Sequence, residues 1–181
     1  MRGTGKPPQA VLPSWSCDME NTVHLERICT ANVWKILALE VDDTQKAFVA
    51  TNTESIVEAY LALSVGGHAF PFGIYAGDVP VGFLMIGYDV DESWTDAPQI
   101  AQDNYSLWRL MIDKRHQHKG YGRQAVAQAL DFIRSAPCGK AEYCYLSYEP
   151  DNAVAKALYA SFGFQETGDK DGDEVIAALR L

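Results

Sequence analysis

The sequence predicts an α/β (α+β) protein, with one mixed sheet flanked by helices in the order β-α-α-β-β-β-α-β-α-β-β. Three observations carry this. The apolar period switches repeatedly between about 3.6 and 2 along the chain. Turn signals at AGDVP and near the C-terminus mark hairpins. A glycine-bearing turn joins a strand to a strongly periodic helix in LWRLMIDKRHQHKGYGRQAVAQALDFIRS.

The start, MRGTGKPPQAVLPSWSCD, is rich in Pro, Gly and Ser and lacks the apolar run of a signal peptide. It reads as a flexible tail over 1–18, followed by one domain over 19–181, with Met19 as a plausible true start. ENTVHLERIC (20–29) alternates polar and apolar residues and predicts the first strand. ANVWKILALEV (31–41) follows Thr30 as a cap candidate, and Val33, Ile36, Leu37 and Val41 recur at helical spacing. SIVEAYLALSV (55–65), after Asn52 and Thr53, predicts a second helix that the Gly66–Gly67 pair ends. Residues 69–90 are two apolar runs around AGDVP, a hairpin. DESWTDAPQIAQDN is a polar linker. YSLWRLMID (105–113) is the third strand of this sheet. The helix of 115–135 puts Val126, Ala129, Leu130 and Ile133 on one face, and APCGK ends it. EYCYLSYEP is another strand. DNAVAKALYASFGF is a helix opened by Asp151 or Asn152 and closed by Gly163. FQETGDKDGDEVIAALRL closes the chain as a hairpin.

Composition narrows the partners. The chain has 181 residues, 48% apolar and 22% charged, with a net charge of −9. That suits a soluble domain and disfavours nucleic acid and anionic membrane as partners. No apolar run approaches 18 residues, so no membrane span is expected. Cys17, Cys29, Cys138 and Cys144 show no metal-ligand spacing and read as reduced thiols of a cytoplasmic protein. His116 and His118 find no third ligand at a suitable spacing, so no metal is expected.

Four of the 15 Lys and Arg residues fall within 114–123: Lys114, Arg115, Lys119 and Arg123. They surround Gly120 and Gly122 where a helix begins. The first amides of a helix have no intrahelical acceptor, and the macrodipole makes that end positive. Glycine lets a ligand approach the backbone closely. A phosphate or diphosphate is the fitting guest. The competing reading is a glycine turn dressed with solvated basic residues. Neither GxxxxGK[ST] nor GxGxxG is present, and the spacing is Gln117-x-x-Gly120-x-Gly122.

This turn is followed by Asn152, Ala155, Tyr159, Gly163 and Phe164 in YLSYEPDNAVAKALYASFGF. The two motifs together resemble the GNAT superfamily of acetyl-CoA-dependent N-acetyltransferases, strongly over 80–165. FVATNTESIVEA more loosely resembles the bacterial spermine/spermidine acetyltransferases. The resemblance implies a mostly antiparallel central sheet and acetyl-CoA as co-substrate, with no metal. It implies that the backbone of Leu110, Met111 and Ile112 pairs with the pantetheine arm. It places the diphosphate on the amides of His118, Lys119, Gly120, Tyr121, Gly122 and Arg123, with Gln117 fixing the loop. Asn152 would touch the coenzyme arm, and Tyr159 would act as general acid. Relatives are often dimers, which makes a homodimer an expectation.

The residues are consistent with that chemistry. Asn152 and Tyr159 lie seven apart, two helical turns and about 10 Å along one flank. A phenol with an ordinary pKa near 10 can protonate a leaving thiolate. An amphipathic core tyrosine is the competing reading of Tyr159. The acceptor is expected to be a small cationic amine, foremost a polyamine such as spermidine or spermine, because the body of the protein is acidic. An aminoglycoside-type antibiotic, a protein N-terminus, or a non-catalytic acyl-CoA sensor are the alternatives.

In some polyamine acetyltransferases the strand before the glycine loop carries an acid. The matching position here is Trp108. The base is therefore open among Glu40, Asp42, Glu54, Glu58, Asp89 and Glu149, each also readable as a solvated carboxylate. Tyr60, Phe72, Tyr88 and Trp94 are either cation–π partners of the amine or core residues.

Overall fold

The computed structural model describes residues 22–92 and 94–181. The expected tail over 1–18, Met19 and Cys17 lie outside the described residues. The elements are β1 (Val23–Arg27), α1 (Val33–Leu37), α2 (Asn52–Ser64), β2 (His68–Ala76), β3 (Val79–Tyr88), β4 (Tyr105–Ile112), α3 (Tyr121–Arg134), β5 (Tyr143–Tyr148), α4 (Ala153–Ala160), β6 (Gln165–Asp171) and β7 (Glu174–Arg180). Their order is the one expected from the sequence.

All seven strands form one sheet in the order β1-β2-β3-β4-β5-β7-β6. Every pairing is antiparallel except β4 with β5. That parallel pair holds for only two rungs, Tyr105 with Cys144 and Ser106 with Tyr145. Beyond them the strands diverge. The cause is visible two residues later. Against β3, Met85 faces Arg109 and Ile86 faces Leu107, so Trp108 is the extra residue of a β-bulge. A bulge bends its strand and increases local twist, and this one turns β4 away from β5.

β3 is buried on both faces, as a central strand should be. Leu84 and Ile86 pack with Leu107, Val126, Leu130 and Ile133 on the α3–α4 side. Phe83 and Met85 pack with Ile36, Leu39, Ala59 and Ala62 on the α1–α2 side. Helix α3 buries Tyr121, Ala125, Val126, Ala129, Leu130 and Ile133, a stripe at helical spacing. Its Gln124 accepts from the Val23 amide at 3.0 Å, and Gln128 donates to the Val23 carbonyl, which pins the edge strand β1.

Two helices depart from expectation. The periodicity over 31–41 gives only one turn, Val33–Leu37. Tertiary hydrogen bonds end it: the Ile36 carbonyl accepts from Asn52 Nδ2 at 2.8 Å, and the Glu40 amide donates to Asp113 Oδ2 at 3.1 Å. The residue before this helix is Asn32, not Thr30, and its side chain bonds the Cys29 amide and the Arg27 carbonyl instead. Helix α2 starts three residues earlier than expected, because Thr51 and Glu54 form a reciprocal capping box. Its inward face is made of small residues: Asn52, Ser55, Ala59 and Ala62. Its larger Val57, Tyr60 and Leu61 face outward, so Tyr60 is 70% exposed rather than core. Phe72 is core.

Candidate active site

The divergence of β4 and β5 opens a cleft of about 1430 Å³ that runs from the start of α3 to the tip of the β6–β7 hairpin. The wall on β4 is a strand edge. The Asp113 amide donates to the Val81 carbonyl on β3 at 2.9 Å. Backbone groups alternate along a strand, so those of Met111 also face β3. Those of Leu110 and Ile112 face the cleft. Of the three residues expected to offer backbone there, two do, and the Met111 side chain is buried against Asn52 on the α1–α2 side.

The turn into α3 is held by side chains. Gln117 donates from Nε2 to the Ile112 carbonyl at 3.0 Å and to Gln45 Oε1 at 2.7 Å. Asp113 is buried and accepts from the amide and the guanidinium of Arg115 at 2.8–3.1 Å, and from Glu40. Burial alone would raise its pKa; these bonds outweigh it and hold the carboxyl at about 2. His118 and Gly120 both take positive φ, 61° and 78°. This curls the chain so that the amides at the helix start face one way. The first α3 bond runs from Gln124 to the Gly120 carbonyl, leaving the amides of Tyr121, Gly122 and Arg123 without intrahelical acceptors. A Cβ on Gly122 would meet Ile112 and Leu158 at ordinary distances of 3.6 and 3.9 Å. Packing inside the protein therefore does not require glycine, and the close approach it permits is toward the cleft.

The basic cluster is less available than its sequence suggests. Lys114 pairs with Glu40, and Arg115 with Asp113. The Arg123 guanidinium donates to Ser161 Oγ at 2.8 Å and lies over the Phe162 ring. Lys119 is exposed and outside the cleft lining. The anion site is thus built mainly from amides.

Helix α4 brings Asn152 and Tyr159 to the same cleft. Asn152, not Asp151, is its cap, accepting from the Ala155 amide at 3.0 Å through Oδ1. Tyr159 is buried beside Tyr148 and Phe164. Burial, and then the neighbouring Cys144 and Glu174, push its phenol well above the ordinary range. It stays protonated at any physiological pH.

The cleft as a whole is acidic. Among the described residues Glu54, Glu58, Asp89, Asp91, Asp96, Asp151, Asp171 and Glu174 line it, against Lys46 and Arg109 as cations. Of the base candidates read from the sequence, Glu54, Glu58 and Asp89 reach the cleft, whereas Glu40, Asp42 and Glu149 do not. Glu54 is occupied by Thr51, whose bonds lower its pKa. Glu58 pairs with Arg109 at 2.9 Å. Tyr88, Trp94 and Trp108 line the wall. Asp171, Glu174 and Ser147 escaped the sequence reading. The signal was the DG of KDGDE, which makes a tight hairpin and sets Asp171 opposite Glu174. Among the described residues no group of three or more His, Cys, Asp or Glu is arranged to hold a metal. No helix among them is long and apolar enough to cross a membrane.

Residues 33–164 match the model of the acetyltransferase (GNAT) family. The spermine/spermidine N(1)-acetyltransferase of Bacillus subtilis is 28% identical over 162 residues, covering 86% of this chain and 97% of that protein. The N-alpha-acetyltransferase RimI of Mycobacterium tuberculosis is 36% identical over 100 residues, covering 55% and 57%. The aminoglycoside acetyltransferase AAC(6')-Ib, solved in complex with coenzyme A, superposes with a TM-score of 0.69 at 14% identity, covering 88% of this chain and 95% of its own. The mixed sheet with its parted central strands, the amide-lined turn and the match over most of the chain agree: this protein belongs to the GNAT family and is an acetyl-CoA-dependent N-acetyltransferase.

Proposed function

We propose that the enzyme acetylates a primary amine of a small, multiply charged cation, with polyamines such as spermidine and spermine as the leading acceptors. The observation that carries this is the lining of the cleft, where carboxylates outnumber Lys and Arg eight to two. Such a wall attracts a polycation and repels an anionic acceptor. The likeness to the Bacillus spermine/spermidine enzyme over nearly its full length supports it.

Acetyl-CoA supplies an activated acetyl group as a thioester. The chain's own residues position and protonate. Leu110, and Ile112 through its amide, offer strand-edge backbone to the pantetheine arm, the Ile112 carbonyl being taken by Gln117. The amides of His118 to Arg123 hold the diphosphate, with Gln117 fixing the loop that presents them. Asn152 spends Oδ1 on its own helix and keeps Nδ2 for the arm. Tyr159 donates its phenolic proton to the departing thiolate. The amine must arrive neutral, yet an alkyl amine with a pKa near 10.4 is about 99.9% protonated at pH 7. The acceptor half therefore both gathers the cation and removes a proton from it.

A thiol-release assay with acetyl-CoA and a panel of spermidine, spermine, an aminoglycoside and an alanine-terminated peptide tests the acceptor. Highest kcat/KM for a polyamine is expected. Preference for the peptide, in keeping with the RimI likeness, would overturn the polyamine reading, and the absence of release with any of the amines despite tight coenzyme binding would favour a sensor.

A further inference from the structure

Resting on the amine-acetylating role of this cleft, we infer that the base of the reaction is the carboxylate pair Asp171–Glu174 at the tip of the β6–β7 hairpin, with Ser147 as the positioning residue that aims it.

Three features converge on this pair. Ser147 stands on the part of β5 that has already parted from β4. It shares a sheet face with Tyr145, opposite the face on which Leu146 and Tyr148 pack against the α3–α4 core. It therefore borders the acceptor side of the gap, across the sheet from Tyr159. Its hydroxyl donates to Glu174 Oε2. Glu174 is in turn paired directly across the hairpin with Asp171. Like charges opposite each other on antiparallel strands are destabilising. Here they are half-buried and both face the cleft. Glu58, by contrast, is paired with Arg109, and Glu54 is occupied by its capping bonds, which lower its proton affinity.

The surroundings favour proton uptake. Burial, then Glu174 and Asp96, raise the proton affinity of Asp171, while Arg109 opposes them. An entering ammonium relieves the repulsion and gives up one proton to the pair. Its nitrogen lone pair then forms the bond to the acetyl carbon as the carbon–sulfur bond breaks. The thiolate takes its proton from Tyr159, the second proton of the acetylated nitrogen is released and a proton returns to the Tyr159 phenolate by way of solvent, and the proton held by the carboxylates passes to solvent. Protons balance over the turnover, and no oxidant or metal enters.

The test uses the full chain, Asp171→Asn, Glu174→Gln, the double variant and Ser147→Ala, with folding checked by thermal melts. Two acceptors are compared: spermidine, and a peptide α-amine with a pKa near 8 that needs a base far less. At pH 7 the double variant is expected to lose about 100-fold in kcat/KM for spermidine. The loss should shrink to a few-fold for the peptide amine, and for spermidine toward pH 10. Acetyl-CoA affinity should not change. Ser147→Ala should lose a few-fold with the same pH signature. Equal losses for both amines at every pH would show a merely structural role and overturn the inference. So would wild-type kcat/KM in the double variant. If spermidine fails as an acceptor for the wild type, the acceptor reading falls, and the pH profile with the peptide amine still decides the base.

Discussion

The two halves of the cleft bind charge by opposite means. The half at the start of α3 is the one proposed for the diphosphate, yet the cations around it are bonded to the protein or turned out of the cleft, and its positive character comes from backbone amides. The half beneath the β6–β7 hairpin, the one proposed for the cationic acceptor, relies on whole charges, and over the cleft as a whole eight carboxylates face two basic side chains. Amide dipoles act at hydrogen-bond range and demand a fixed geometry. Whole charges act over a Debye length of about 8 Å and tolerate variation in the ligand. On the proposed reading the molecule combines a rigid grip on an invariant co-substrate with a diffuse attraction for a flexible one.

The sharpest test of that division is Tyr159, which stands where the halves meet. Tyr159→Phe should lower kcat about 100-fold or more while the acetyl-CoA dissociation constant stays within about twofold. Steady-state kinetics with calorimetry would measure both, and an unchanged kcat across the pH range would remove the phenol from the reaction. Next in size, Gly122→Val should weaken acetyl-CoA binding by at least tenfold, because a branched side chain stands where the coenzyme must approach. The melting temperature without coenzyme should hardly move, since a Cβ fits there. Undiminished binding in calorimetry would break the assignment of the anion half.

Asp113 tests the contrast between a carboxylate used for structure and those left for a ligand. Its lowered pKa means that its contribution is complete above pH 4 and disappears as the pH falls through about 2. Asp113→Asn should cost about 2 kcal/mol of unfolding free energy at neutral pH, with the difference from wild type closing in strong acid, as read from denaturant melts. The smallest effect is that of salt. Going from 50 to 300 mM should raise the polyamine KM several-fold and leave acetyl-CoA affinity unchanged or slightly improved, because the protein carries a net charge of −9. A parallel loss at both sites would show that the anion half depends on whole charges after all.

What the sequence disclosed follows the same boundary. The anion half is local: the strand, the Gln117–Gly120–Gly122 turn, α3, and the Asn152-to-Tyr159 spacing all lie within runs that one helix or turn can organise. Their element order was readable for that reason. The acceptor half is assembled from α2, the loop after β3 and the last hairpin, and contacts between residues so far apart leave no periodic trace. Asp171 and Glu174 look like solvated turn residues until β7 pairs with β5. The single-turn α1 was unreadable for a related reason: its propensity is overridden by Asn52 and Asp113, both distant in the chain. The bulge at Trp108 also has no local signature, because only the register against β3 exposes the extra residue.

That bulge reaches beyond geometry. By ending the β4–β5 ladder after two rungs, it leaves the middle of the sheet with a seam where amide hydrogens should exchange quickly with deuterated solvent. Acetyl-CoA, by bonding to the cleft-facing edge of β4, would slow that exchange and raise the melting temperature according to its concentration relative to its dissociation constant. Cellular coenzyme supply would then govern how long the enzyme survives as well as how fast it works.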